Sequence, residues 1–291
     1  MFCLFCAFFW LITVLATQQV LSTEDIEIDL LLEGIFRQYG FDFRKYARSS
    51  LRRRVRNFLR DQQIGSVSLL QDRILHDSQW LDRFVYALSV NVSPMFRDAQ
   101  FYVTFRREVV PLLRTYPFSR IWVAGVSTGE EVYSLAIALE EEGIHDRCRV
   151  YATDINDPIL KKAKDGIYPL DVIKTYTNNY VRAGGKRLFS DYYTMAYERA
   201  IMKSSLRDNV VFAQHNLASD ASFNEFHVIL CRNVMIYFNS ELQAHVFNLL
   251  HESLVTFGVI GLGARETMKF SPHEYAYEEI DKNIRLYRRI A

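Results

Sequence analysis

The segment Ala124-Gly125-Val126-Ser127-Thr128-Gly129-Glu130-Glu131 follows a short apolar stretch and opens an amphipathic one. Glycine in such a turn lets backbone approach a ligand closely. A dinucleotide-binding turn would read G-x-G-x-x-G and seat pyrophosphate on the helix N-terminus. Here the middle glycine is missing, and two carboxylates at the helix start would repel pyrophosphate. They would welcome a cation carrying an amino group, which points away from NAD and toward S-adenosylmethionine. The plain alternative is a strand–helix turn whose glutamates complement the helix dipole. Asp154 ends the next strand-like stretch, where an acid typically accepts hydrogen bonds from both hydroxyls of a ribose. Its plain alternative is a cap for the helix starting near Asn156. Together, turn and acid read as a nucleoside site.

Two further segments carry polar groups of interest. Cys231-Arg232-Asn233-Val234-Met235-Ile236-Tyr237-Phe238 sets a polar pair and then an aromatic hydroxyl after an apolar run. That arrangement suits a cleft wall, although a strand-end arginine is often solvated and a tyrosine often core. Asn91-Val92-Ser93-Pro94-Met95-Phe96-Arg97-Asp98 reads as a hinge between two regions.

The elements that must hold these residues follow from periodicity. Ile28, Leu31, Leu32, Ile35 and Phe36 share one helical face behind Ser22 and Thr23, with Gly40 as the stop. Further helices are expected at 46–60, 66–75 and 78–90, so residues 22–90 form a small all-helical domain. Beyond Asn91, strands (120–124, 149–153, 210–214, 228–231, 259–262, 284–290) alternate with helices (130–142, 154–164, 240–257). The last helix is read with a capping box from Ser240 to Gln243. Alternation implies an α/β fold with a doubly wound, mostly parallel sheet over residues 91–291, binding ligands at its strand carboxyl ends. Residues 186–209 break the alternation and suggest a small antiparallel insert.

With 291 residues, nearly half of them apolar, the chain can bury a full core. A net charge of +1 names no partner by itself. Cys3, Cys6, Cys148 and Cys231 have no metal-ligand spacing, so they read as reduced thiols of a cytoplasmic protein, and no metal is expected. Residues 1–21 form an apolar segment without the basic start of a secretory signal, and the run is short of the ~20 residues that span a bilayer. A start site placed too far upstream, a membrane anchor and a poor signal peptide all remain open.

The chain resembles the chemotaxis receptor glutamate methyltransferases (the CheR family) from about residue 26 to 290. The resemblance rests on the three segments quoted above, in order: N-[LVI]-[TS]-x-F-F-R at 91–97, A-G-C-[SA]-T-G-E-E at 124–131 and C-R-N-V-x-I-Y-F at 231–238. Met95 stands where Phe is usual and Val126 where Cys is usual, both apolar exchanges. Glu266 also matches a family position. The resemblance implies a protein-glutamate O-methyltransferase that uses S-adenosylmethionine. It implies cofactor contacts from Asn91, Ser93, Arg97, Glu130, Asp154, Asn216, Leu217, Arg232 and Asn233, with Gly125 in the turn beneath. Arg97 and Tyr237 would lie nearest the transferred methyl group, and the insert corresponds to a subdomain that docks a receptor tail in some members.

A glutamate acceptor has pKa near ~4.3, so it is ionised at neutral pH and needs no general base. His215, beside Asn216, accordingly reads as a strand-end residue rather than a base. Arg48, Arg52, Arg56 and Arg60 recur four apart on the second helix. With Arg53, this stripe is expected to meet acidic methylation helices of a receptor, the partner expected of a monomeric enzyme close to a membrane. A catalytically inactive receptor-binding module and a nucleic-acid methyltransferase are the competing readings. The latter would need a base-reading pocket that the sequence does not show.

Overall fold

The computed structural model describes residues 22–88, 93–281 and 283–291. The apolar segment at 1–21 and Asn91 lie outside the described residues. The chain opens with α1 (Thr23–Tyr39). Ser22 accepts the Asp25 N–H at its start, and Gly40 at φ 78° closes its end. Next come α2 (Arg48–Asp61), α3 (Val67–His76) and α4 (Ser78–Leu88). Their apolar stripes, including Ile28, Leu32, Val55, Phe58, Leu70, Ile74 and Phe84, bury one another in a core of their own.

A bent helical rod follows: α5 (Ala99–Thr104), a π turn (Phe105–Val109) and α6 (Val110–Arg114). The π turn takes up the break that Pro111 would otherwise force on a regular ladder. The main sheet begins with β1 (Ser119–Ala124), α7 (Glu130–Glu141), β2 (Cys148–Asp154) and α8 (Asp157–Asp165). After β3 (Ile167–Pro169), α9 (Leu170–Arg182), β4 (Tyr193–Ala196) and β5 (Arg199–Met202), it resumes with β6 (Val210–Gln214). It closes with β7 (Phe226–Cys231), α10 (Ser240–Ser253), β8 (Leu254–Leu262), β9 (Tyr277–Asp281) and β10 (Leu286–Arg289).

The seven-stranded order is β6-β2-β1-β7-β8-β10-β9. Pairings among the first five are parallel, and β10 pairs antiparallel with both β8 and β9. This is the mostly parallel sheet that the alternation predicts. The order reverses beside β1, so its carboxyl end and that of β2 face an open crevice. β3, β5 and β4 form a separate antiparallel sheet. The insert thus draws a strand from ahead of α9, upstream of the expected 186–209.

Three local expectations change. Helix α10 ends at Ser253 rather than 257, because Leu254 already pairs with Phe226 of β7 and the chain must extend into a buried strand. Its cap is Asn239, whose side chain accepts the Leu242 N–H. Gln243 instead donates to the Met235 and Phe238 carbonyls. Helix α9 and strand β9 were not anticipated. β9 lies at a sheet edge with no fully buried residue, so its hydrophobic signal is weak.

The helical region docks on the sheet through main chain. Tyr46 and Phe238 form an antiparallel bridge, the Ala47 N–H donates to the Tyr237 carbonyl (2.8 Å), and the Asn239 N–H donates to that of Lys45 (2.9 Å).

Candidate active site at the strand ends

Two adjoining cavities open at the carboxyl ends of β1, β2 and β7 and share Gly125, Ser127, Asn233 and Tyr237. The larger is lined on the sheet side by Asp154, Ile155, His215, Asn216 and Leu217. Phe43, Tyr46 and Leu88 of the helical region supply its opposite wall. The smaller is lined by Ser93, Arg97, Tyr102, Glu131 and Arg232 among others. Of the expected site residues, Ser93, Arg97, Gly125, Asp154, Asn216, Leu217, Arg232, Asn233 and Tyr237 therefore converge.

Asp154 holds the turn after β1 through one oxygen, which accepts the Ser127 N–H (2.9 Å). Its other oxygen accepts the Asn156 N–H (3.1 Å). It is not the cap of α8, since Asn156 takes that part. Burial raises its pKa, and the amide donors oppose that shift. Each oxygen keeps acceptor capacity toward the cavity. Gly125 has φ +73°, and a Cβ there would lie 2.5 Å from the Val234 side chain. Only glycine lets the two loops close on each other beneath a ligand.

Arg232 is buried rather than solvated. Its guanidinium donates to Glu131 (2.6 Å) and Asp98 (2.8 Å) and lies 4.1 Å from the centre of the Phe101 ring. It ties the 93–98 segment to the end of β7. Arg97, by contrast, has no ion pair or side-chain hydrogen bond among the described residues and borders the smaller cavity. The Tyr237 ring lies 4.3 Å from the guanidinium of Arg54, whose pKa burial lowers.

Glu130 lines neither cavity. Successive helical residues point ~100° apart, so Glu131 faces the smaller cavity while Glu130 turns away. Glu130 accepts from the Thr128 hydroxyl (2.7 Å) and borders a separate pocket with Tyr168 and Tyr176. Burial pushes its pKa up to about 7.

Most of the arginine stripe is paired within the chain: Arg48 with Asp25 and Asp29, Arg52 with Asp25, and Arg56 with Glu24, all on α1, and Arg60 with its neighbour Asp61. Arg53 stays exposed with no ion pair among the described residues. His215 packs edge-on against Trp122, and its Nε2 lies 3.2 Å from the Ala221 carbonyl, which can only accept a proton. That contact makes Nε2 a structural donor, while Nδ1 has no hydrogen-bond partner among the described residues. Sequence reasoning named Glu131 only as one of two carboxylates at the helix start and did not assign Arg54 or the wall of Phe43, Tyr46 and Leu88 to the site. Glu131 was visible one residue along, whereas the others meet the site only through tertiary docking.

The sheet, the acid at the end of β2 and the glycine turn define an S-adenosylmethionine-dependent methyltransferase. Residues 91–284 match the family described as CheR methyltransferase, SAM binding domain, and residues 26–89 match CheR methyltransferase, all-alpha domain. The chain is similar to a Pseudomonas putida protein named Cher3, 49% identical over 91% of this chain and 97% of that one. It is also similar to the chemotaxis protein methyltransferases of Listeria innocua (28% identity; 86% and 94% covered) and Salmonella typhimurium (27%; 90% and 91%). The chain belongs to the CheR methyltransferase family.

The residues fit the cofactor. Asp154 would offer acceptors to a diol, Phe43, Tyr46 and Leu217 would form an apolar slot for a base, and Glu131 and Asn233 would give polar contacts at the amino-acid end. Among the described residues no group of His, Cys, Asp or Glu is arranged to hold a metal, and no helix is long and apolar enough to cross a membrane.

Proposed function

We propose that this enzyme methylates glutamate side chains on helices of a methyl-accepting receptor, in chemotaxis or a related signalling pathway, leaving a glutamate methyl ester. The observation that carries the reading is the lining of the smaller cavity. It holds an unpaired guanidinium (Arg97) and a phenol (Tyr237), and no histidine. Such a lining can orient an acceptor that is already anionic, and its one carboxylate, Glu131, is held by the Arg232 guanidinium (2.6 Å) rather than free to take a proton from an amine or hydroxyl.

Bound S-adenosylmethionine supplies an electrophilic methyl carbon. Arg97 and Tyr237 orient the acceptor carboxylate toward it, and Asp154 and Asn233 fix the nucleoside and amino-acid ends. Arg54 covers Tyr237 and, with Phe43 and Tyr46, screens the junction from water. Screening favours a step in which opposite charges cancel, and alignment supplies much of the remaining barrier reduction. Arg53, on the exposed side of α2, is the cation open to an acidic receptor helix. Receptor carboxylates would have to compete with α1 for Arg48, Arg52 and Arg56. The more exposed Arg56–Glu24 pair is worth about 0–1 kcal/mol and exchanges easily, whereas Asp25 is buried beneath Arg48 and Arg52 and releases them less readily.

The test is methyl transfer from radiolabelled S-adenosylmethionine to purified receptor cytoplasmic fragments, with total RNA as a parallel acceptor. Label that alkali releases as methanol, and that disappears when the acceptor glutamates become alanine, supports the proposal. Alkali-stable label, or label on RNA alone, rejects it.

A further inference from the structure

Two loops meet behind the junction of the cavities. One, after β7, carries Asn233 and Tyr237, and the other follows β8. Between them sits the Glu266 carboxylate, 5% exposed. One of its oxygens accepts the N–H of Asn233 (2.8 Å) and of Gly263 (2.6 Å). The other accepts the N–H of Met235 (2.8 Å) and of Ile236 (3.3 Å). Burial raises its pKa against the pull of these four amides. Asn233 adopts φ 62°, in the left-handed region that asparagine enters more readily than most residues, and its N–H bond to Glu266 holds it there. Gly263 leaves no room for a side chain: a Cβ there would lie 2.6 Å from the Asn233 amide and 2.7 Å from Glu266.

We propose that Glu266 is a positioning residue for methyl transfer: it gathers the backbone of both loops so that Asn233 faces the cofactor and Tyr237 faces the acceptor. This rests on the methyltransferase assignment and deepens the reading of its site. Glu266 touches neither reactant. It acts through the four amides, as the only described carboxylate bonded to the 233–236 backbone. The helical region grips the same loop from outside at Tyr237 and Asn239, so its conformation is fixed from two sides.

Glu266→Gln keeps shape but presents one oxygen and one NH2 group. Two of the four backbone donors then face another donor whichever way the amide turns. Three readouts separate positioning from mere support. In a folded variant, amide exchange at 233, 235, 236 and 263 should quicken about tenfold while that of β1 stays unchanged. Affinity for S-adenosylhomocysteine, measured by calorimetry, should fall about tenfold. With receptor fragment as acceptor, kcat should fall about thirtyfold with KM within about threefold, and in a Tyr237→Phe background the same change should cost less than about threefold. Exchange and calorimetry need no protein acceptor, so they test the proposal even if receptor glutamate is the wrong substrate. If Glu266→Gln does not fold, Glu266→Asp, which keeps charge but shortens reach, takes its place in all three arms. A folded variant with unchanged exchange and unchanged product affinity overturns the proposal, as does a kcat loss that multiplies independently of Tyr237.

Discussion

Replacing Asp154 tests the cofactor site most directly. In Asp154→Asn, an NH2 group faces either the Ser127 or the Asn156 N–H, which now meet carboxylate oxygens at 2.9 and 3.1 Å. The variant also loses the anion offered to the ribose diol. A hydrogen bond to a charged group contributes ~1.5–3 kcal/mol. Two such bonds, partly replaced by water in the variant, put the loss at ~2–4 kcal/mol, or about 30- to 700-fold in Kd. Calorimetry with S-adenosylhomocysteine measures it, with a thermal melt to confirm the fold. The pH dependence adds a sign. Burial raises the Asp154 pKa in the free protein, while the diol needs the anion as acceptor. Wild-type affinity should therefore weaken as pH falls toward that raised pKa, and the Asn variant should show no such slope. A Kd within about threefold of wild type, in a folded variant, would refute the nucleoside site.

Three further outcomes follow from the same geometry. Arg97→Ala should lower kcat more than about 100-fold while leaving S-adenosylhomocysteine affinity within about fivefold, since its guanidinium borders the smaller cavity with no ion pair among the described residues; unchanged turnover removes its role. Arg53→Glu should raise KM for an acidic receptor fragment about tenfold, an effect that fades at high salt, whereas Arg56→Ala should raise it less than about threefold because Glu24 already neutralises Arg56. Glu130, with its pKa pushed up to about 7, binds a proton in the folded chain that the unfolded chain has released, so its contribution to stability is lost as pH rises from about 4.5 to 7. Glu130→Gln should then match wild type near pH 4 and exceed it by up to ~3 kcal/mol at pH 8 in denaturant melts of the free protein; a gap that does not widen with pH counts against this.

The chain's local signals reached far. The 3.6 periodicity in Ile28, Leu32 and Ile35 and the strand–helix alternation specified both the helical region and the parallel sheet, because each element must bury one face. Asp154, Gly125, Arg232 and Tyr237 were legible because strand ends in such sheets open on ligands. Of the two adjacent glutamates, Glu131 borders the smaller cavity and Glu130 a separate pocket. A motif fixes which residues are present, but helical rotation decides which of two neighbours faces the cavity.

What the sequence alone determined is therefore the family and the alternation of strands and helices, encoded in short contiguous strings, together with most of the residues that line the two cavities. Only the tertiary structure decided the fate of charges and main-chain donors. The arginine stripe looked free until α1 folded over it with Glu24, Asp25 and Asp29. Arg54 reached Tyr237, and Phe43 and Tyr46 closed the cavity, only because the helical region docks at 45–47. Glu266 met four amides of two loops only where β7 and β8 end side by side. Pairings between residues distant in sequence depend on how elements pack, and no local pattern records which partner a side chain will find.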